Sequence, residues 1–433
     1  MRLLKELHKT DPVEIGWELH RFAAELYPIC RSITGDGIRR TLALLQNRIP
    51  LQIVEIPTGT PVFDWTVPKE WNIRDAYIKA SDGKRVVNFR QCNLHVLHYS
   101  TPVHTAMPLH ELKPHLFTLP EHPDWIPYRT SYYQENWGFC LSHNQMLALE
   151  DGDYEVCIDS SLEDGHLTYG ECYVRGGSTD EVLISCHVCH PSLANDNLSG
   201  LSVAVFLAQL LSGLELHYSY RFLFIPGTIG AITWLARNRE AVGRIRHGLV
   251  LTCIGDAGGF HYKKSRRGNA EIDRAAAHVL RHCSDSPEIL DFSPYGYDER
   301  QYCSPGFNLP IGCLMRSVWG TFPEYHTSAD NLDFIRPPQL AGSLRVCAAI
   351  LDVLENNRRY RNQSPYCEPQ LGRRNLYRST GGDAVGVDIS ARLWVLNLSD
   401  GEHSLLDIAE RSGMPCSVIS DAAELLCQHG LLL

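Results

Sequence analysis

No run of about 18 uninterrupted apolar residues occurs in this chain of 433 residues, so no membrane-spanning helix is expected. The opening Met1-Arg-Leu-Leu-Lys-Glu-Leu-His8 lacks the apolar core of a signal peptide, which makes the cytoplasm the expected location. Positive charge is in short supply. Forty Lys and Arg against 50 Asp and Glu leave a formal net charge of -10, so neither nucleic acid nor a membrane surface is an expected partner. Cysteine is plentiful at 15, yet no Cys-X-X-Cys pair repeats at zinc-finger spacing, and most thiols read as reduced core residues. Cys186, Cys189 and Cys253 stand apart because they adjoin the candidate site described below. Neither Ser192 nor Ser199 lies in a Gly-X-Ser-X-Gly elbow, which argues against serine nucleophilic catalysis.

Against these absences stands one dense stretch. Val182-Leu-Ile-Ser-Cys-His187-Val-Cys-His190 is an apolar, strand-like run that stops at imidazoles, and Pro191-Ser-Leu-Ala-Asn-Asp196-Asn-Leu-Ser-Gly200 adds a carboxylate in a turn. Potential metal ligands at the carboxyl end of a buried strand occupy the place where layered α/β proteins keep their chemistry. Asp196 could equally cap the helix that follows, and the two roles are compatible. A distant ligand must complete the set, and the polar cluster Phe322-Pro-Glu324-Tyr-His326-Thr-Ser-Ala-Asp330-Asn331 is the candidate.

Around this stretch, apolar spacing through Ile15, Leu19, Phe22, Ala23 and Leu26 predicts helix, and a second helix is expected through Leu42 and Leu45. Residues 51 to about 90 carry short β-type runs such as Asp75–Ile78 and Arg85–Phe89. From Tyr154 onward strands and helices alternate, which predicts an α/β layered domain with a parallel or mixed sheet. Residues 120–139 are rich in Pro, Trp and Tyr; they could line a cleft, although packing onto a neighbouring domain explains them too. A polar linker is expected from about 356 to 380, followed by three short helices with a winged helix-turn-helix pattern. Its presumed recognition helix carries Asp421 and Glu424 and no Arg or Lys, so it reads as a packing or protein-contact module, through which a homo-oligomer could form.

The pairing of Ala194-Asn-Asp196-Asn-Leu-Ser-Gly200 with Tyr325-His326-Thr-Ser-Ala-Asp330 resembles the zinc aminopeptidases of the bacterial leucyl aminopeptidase and glutaminyl cyclase type. More closely, the chain resembles a family of bacterial aminopeptidase-like proteins, often placed near polysaccharide biosynthesis. Arg31-Ser-Ile-Thr-Gly35, the stretch from Phe63 to Ile73, Asn93-Leu-His-Val96, Ile126-Pro-Tyr128, Trp137-Gly-Phe-Cys140 and Cys189-His-Pro-Ser192 carry that likeness in the same order. The resemblance implies an α/β fold: a zinc-aminopeptidase-like three-layer domain with a mixed central sheet over residues 1–50 and 145–357, an inserted small β-rich domain over 51–144, and a winged helix over 365–433. It makes Asp196 and His326 metal ligands and the Asp196–Asn197 peptide cis. For the other histidine, strand register favours His187, while the Cys-His-Pro-Ser motif favours His190, which is placed slightly ahead.

One departure matters as much as the matches. The zinc aminopeptidases end the next strand in two glutamates, a general base and a metal ligand, whereas this chain has Pro226-Gly227-Thr228. The aspartate expected after the following strand falls near Cys253, with Asp256 just beyond. One zinc ion is therefore expected rather than two. Glu324 is the leading substitute for the missing base, with Asp298 or Glu299 as alternatives. Asp330 is expected to orient His326 or to cap the segment after it. Arg300 and Arg316 are candidates for gripping a substrate carboxylate. The expected activity is metal-dependent hydrolysis of a small peptide or amino-acid conjugate in a biosynthetic pathway. The alternative is an inactive or altered homologue that binds a ligand or transfers an acyl group.

Overall fold

A computed structural model describes residues 2–377 and 386–433. Its centre is an eight-stranded mixed sheet in the order Leu51–Pro57, His166–Val174, Ser219–Ile225, Glu181–His187, Ile245–Leu251, Ile311–Met315, His261–Lys263, Glu288–Leu290. The four strands from Ser219–Ile225 to Ile311–Met315 run parallel, and the neighbours on both sides run antiparallel. Glu181–His187 is buried along its whole length, as an apolar run flanked by parallel neighbours must be. Its alternate side chains go to opposite faces: Val182, Ile184 and Cys186 join the core beneath the helices, and Leu183 joins the core on the other side.

The first face is covered by Pro12–Leu26, Gly200–Ser212, Glu271–Cys283 and Pro337–Asn356, which pack on one another. Asp11 starts the first of these by accepting the Val13 N–H, with Pro12 in the first turn, where a missing N–H costs nothing. Opposite lie Ile229–Arg237 and a four-stranded antiparallel sheet, ordered Arg85–Asn88, Glu70–Lys79, Asp153–Glu163, Val103–Pro108. The two sheets interleave across the limits expected at 51 and 144. Leu51–Pro57 is an edge strand of the large sheet, and Asp153–Glu163 belongs to the small one. Both strands are amphipathic, and hydrophobic alternation does not say which of two sheets a strand joins.

At the C-terminal end, helices Val387–Leu398, Leu405–Ser412 and Cys416–Gln428 and the antiparallel pair Arg359–Arg361 with Asp400–Ser404 form a winged helix. The last part of the expected linker, 378–380, lies outside the described residues. Arg274, on the Glu271–Cys283 helix, donates to Asp407 at 2.6 Å and also pairs with Glu410, fastening the winged helix to the sheet domain. These groups are about one-third exposed, so Arg274→Ala is expected to cost about 1 kcal/mol or less of docking energy. Hydrogen exchange should register this as faster amide exchange in the three terminal helices and unchanged exchange in the central sheet. Among the described residues no helix is long and apolar enough to cross a membrane.

Candidate metal centre

Glu181–His187 occupies the position where the chain order of the parallel strands reverses, with Ser219–Ile225 on one side and Ile245–Leu251 on the other. The crevice beyond the carboxyl ends of such strands is the standard ligand position of open α/β sheets. His187 is the last residue of its strand, and the turn after it brings His190 and then Asp196 back over the same edge.

Three imidazoles surround the Asp196 carboxylate. His187 Nε2 lies 2.8 Å from Oδ1, while His326 Nε2 and His190 Nε2 lie 3.0 and 3.8 Å from Oδ2. The donor atoms of His187, His190 and Asp196 all fall within 4.8 Å of one another. These three side chains are buried, whereas His326 is 29% exposed and forms the open side. Both histidines of the strand-end motif are thus present, where strand register and motif had each pointed to one. Burial opposes charge on Asp196, yet the surrounding imidazoles and their hydrogen bonds hold its carboxyl well below the usual range. Burial likewise holds His190 well below an ordinary imidazole. An ionised carboxylate beside a neutral imidazole is the protonation state in which both act as ligands.

Donor chemistry and spacing suit a small divalent ion. Nitrogen and oxygen ligands about 2.0–2.1 Å from one tetrahedral ion stand about 3.3 Å apart, and the observed 2.8, 3.0 and 3.8 Å bracket that separation. Burial pushes the Cys189 thiol up to about 12 and the Cys253 thiol well above its ordinary value.

The frame around the cluster is built from backbone contacts. The Asp196–Asn197 peptide is cis. Asp330 accepts the N–H groups of Asn195 at 2.6 Å and Asp196 at 2.9 Å. It therefore pins the turn that carries Asp196; among the described residues its carboxylate makes no hydrogen bond to the His326 ring or to the N–H groups after Asn331. Asp256 stands one step farther out, accepting from the Asn195 side chain, Ser317 and the Gly258 N–H. Asp330→Asn, which keeps the shape but only one acceptor oxygen, is expected to weaken metal binding by roughly 10–100-fold, the range for outer partners of a metal site. Competition with a fluorescent zinc chelator would measure it.

Arg31, fully buried, donates from Nε to the His190 carbonyl at 3.0 Å and from Nη1 to Leu26 O. Sequence reasoning gave Arg31 no role at the site, although it opens the Arg-Ser-Ile-Thr-Gly motif. Tyr128 lies in the aromatic segment that the sequence offered as a cleft lining, without a role of its own. Its ring packs against those of His190 and His326, and its N–H donates to His326 O at 2.7 Å. The aromatic segment 120–139 thus both packs and lines the site.

Gly227 is not an empty place. A Cβ there would lie 1.8 Å from Tyr297 Oη, so the phenol fills the space a side chain at 227 would need. The Tyr297 ring lies 4.4 Å from that of His187, and its hydroxyl is 3.4 Å from Cys189 Sγ. Thr228 holds a left-handed φ of 64°, costly for a β-branched residue, and its N–H donates to Asp298 at 2.6 Å. Asp298 is fully buried, and that burial pushes its carboxyl up to about 7. It braces the Gly227–Thr228 turn. The Glu324 carboxylate makes no hydrogen bond among the described residues; only its backbone carbonyl is engaged, by Thr327. Arg316 is occupied by Ser343, Gly258 O and the face of Phe260, whereas Arg300 lines a cavity with Thr228.

Residues 20–357 match the family described as a domain of unknown function (DUF4910), and residues 358–433 match a winged helix-turn-helix family. A Clostridium acetobutylicum protein, provisionally described as a polysaccharide biosynthesis protein with an aminopeptidase-like domain, is 54% identical over 432 residues and 99% of both chains. A crystal structure from the same organism, provisionally described as a peptidase, superposes with a TM-score of 0.95 at 52% identity over 99% of both chains. A zinc aminopeptidase from Bacillus subtilis shares the fold at 11% identity, with a TM-score of 0.57 over 78% of this chain and 94% of that one. With the aminopeptidase-like sheet, the strand-end cluster and the terminal winged helix in place, the chain belongs to the DUF4910 family.

Proposed function

We propose that this protein is a metal-dependent hydrolase of aminopeptidase type, acting on a small peptide or an aminoacylated small molecule in a biosynthetic pathway. The observation that carries this reading is the Asp196 carboxylate set among His187, His190 and His326 at the carboxyl end of the central strand. Zinc suits the donor set, and when bound it supplies Lewis acidity toward a carbonyl or water. One ion fits better than two, because Gly227, Thr228 and Cys253 stand where the aminopeptidase pattern has carboxylates. His187 and His190 hold the buried side, Asp330 and Asp256 fix the turn, and Tyr128 shields the imidazoles from bulk water. Glu324, two residues before His326 and with a carboxylate that makes no hydrogen bond among the described residues, is the carboxylate for proton transfer. The description of the Clostridium acetobutylicum relative supports a place in polysaccharide assembly rather than in protein breakdown.

Tyr297 favours a second reading. A phenol in the space of the usual base suits acyl transfer or binding, in which water must not be activated. The two readings separate in one assay. Isolated protein is given a panel of aminoacyl amides with and without a chelator, and His326→Ala serves as control. Chelator-sensitive release of the amino acid, restored by zinc and lost in the variant, is the expected result. Metal uptake without hydrolysis would favour the second reading, and absence of metal uptake would remove both.

A further inference from the structure

A separate cavity of about 440 Å³ is walled by Trp65, Thr228, Arg266, Phe292, Pro294 and Arg300 among others. No acidic side chain lines it. In a chain of net charge -10, two guanidinium groups facing one hollow make a local positive field, offset in part behind the wall by the buried Asp298 carboxyl that accepts the Thr228 N–H and interacts with Arg300. Neither arginine side chain makes a hydrogen bond or salt bridge among the described residues, and Arg300 Nε is buried without an acceptor. Buried donors are nearly always satisfied, and an anion held in the cavity would give the Arg300 guanidinium the acceptor it lacks.

Two routes of side-chain contact lead from the cavity wall to the metal centre. Thr228 follows Gly227, which Tyr297 faces. By the other route Trp65 packs edge-on against Tyr133, Tyr133 meets Tyr132, and the Tyr132 hydroxyl lies 2.5 Å from that of Tyr128, whose ring flanks His190 and His326. Trp65 and Phe292 give flat apolar surface next to the two cations, a combination suited to a ring that bears a negative group.

We propose that this cavity is the subsite for the anionic end of the substrate, a carboxylate or phosphate on a ring that packs against Trp65 and Phe292, with the amide held at the imidazole cluster. The hydrolase reading is needed only to call the ligand a substrate; the anion site stands on the cavity itself.

Calorimetric titration of the full-length protein with phenyl phosphate, benzoate and neutral benzyl alcohol tests it. At least one anion is expected to bind while benzyl alcohol does not, and the tighter anion identifies the charged group. Arg266→Gln and Arg300→Gln should each weaken that binding about tenfold. Trp65→Phe should remove the accompanying change in tryptophan fluorescence. The exposed Arg266 keeps the test decisive if Arg300→Gln fails to fold. Equal binding by Arg266→Gln and the unmodified protein, or no binding of either anion at millimolar concentration, would overturn the site. Anion binding that survives chelation in a protein without hydrolytic turnover would keep the site and discard the hydrolase; turnover with no preference for acidic substrates and no anion binding would do the reverse.

Discussion

Asp196→Ala should leave the protein without tightly bound metal. Asp196 is the one side chain that all three histidines approach, at 2.8, 3.0 and 3.8 Å, and it is 2% exposed. Its removal takes away the anion at the centre of the cluster, the one carboxylate among the described residues that the imidazoles share, and leaves three imidazoles with nothing to hold them together. Outer partners of metal sites are worth about 10–100-fold in affinity, so loss of this ligand should cost more than about 100-fold. Metal analysis after dialysis against dilute zinc should fall from near one equivalent to near none. The His326→Ala variant should retain more, because His326 is the half-open member while His187, His190 and Asp196 stay assembled. Equal metal content in Asp196→Ala and the unmodified protein would place the ion elsewhere, and with it the proposed chemistry.

The second large effect concerns Gly227. Restoring the glutamate of the aminopeptidase pattern by Gly227→Glu should not restore peptidase activity, because the new Cβ would lie 1.8 Å from Tyr297 Oη and 2.1 Å from Cζ. Tyr297 is packed against His187 and Cys189 and cannot move aside without disturbing the cluster. Overpacking at a site this tight is expected to destabilise the fold by about 3 kcal/mol. Thermal unfolding would register the loss as a lower Tm. Tyr297→Ala alone opens a cavity and is also destabilising. The pair Gly227→Glu with Tyr297→Ala should recover much of the loss, since each change vacates or fills what the other needs. That combined variant is the one in which a reinstalled base can be assayed. If Gly227→Glu alone matches the unmodified protein in Tm, Tyr297 does not hold the space assigned to it.

The Glu181–His187 strand, the helix that follows it and the winged-helix segments were readable because each pattern is local. An apolar run has the length of a buried strand, and helical spacing repeats about every 3.6 residues. The same logic failed at the small sheet. Leu51–Pro57 and Asp153–Glu163 each look like strands from their own residues, but strand pairing is a long-range choice. At the site, Arg300 and Arg316 looked alike as candidates for gripping a carboxylate. One is spent on Ser343, Gly258 and Phe260, and the other faces a cavity.

What the amino-acid order determined by itself is the inventory: two histidines and an aspartate close together at a strand end and a third histidine far along the chain, to which the resemblance to zinc aminopeptidases adds a glycine where those have a base. Tertiary structure alone decided that both strand-end histidines face one carboxylate, that Asp330 grips backbone rather than His326, and that Tyr297 fills the place opposite Gly227. The physical reason is range. Helix and strand formation follow from neighbours a few residues apart, whereas a side chain's partner depends on where the chain returns after tens or hundreds of residues, which local propensity does not encode.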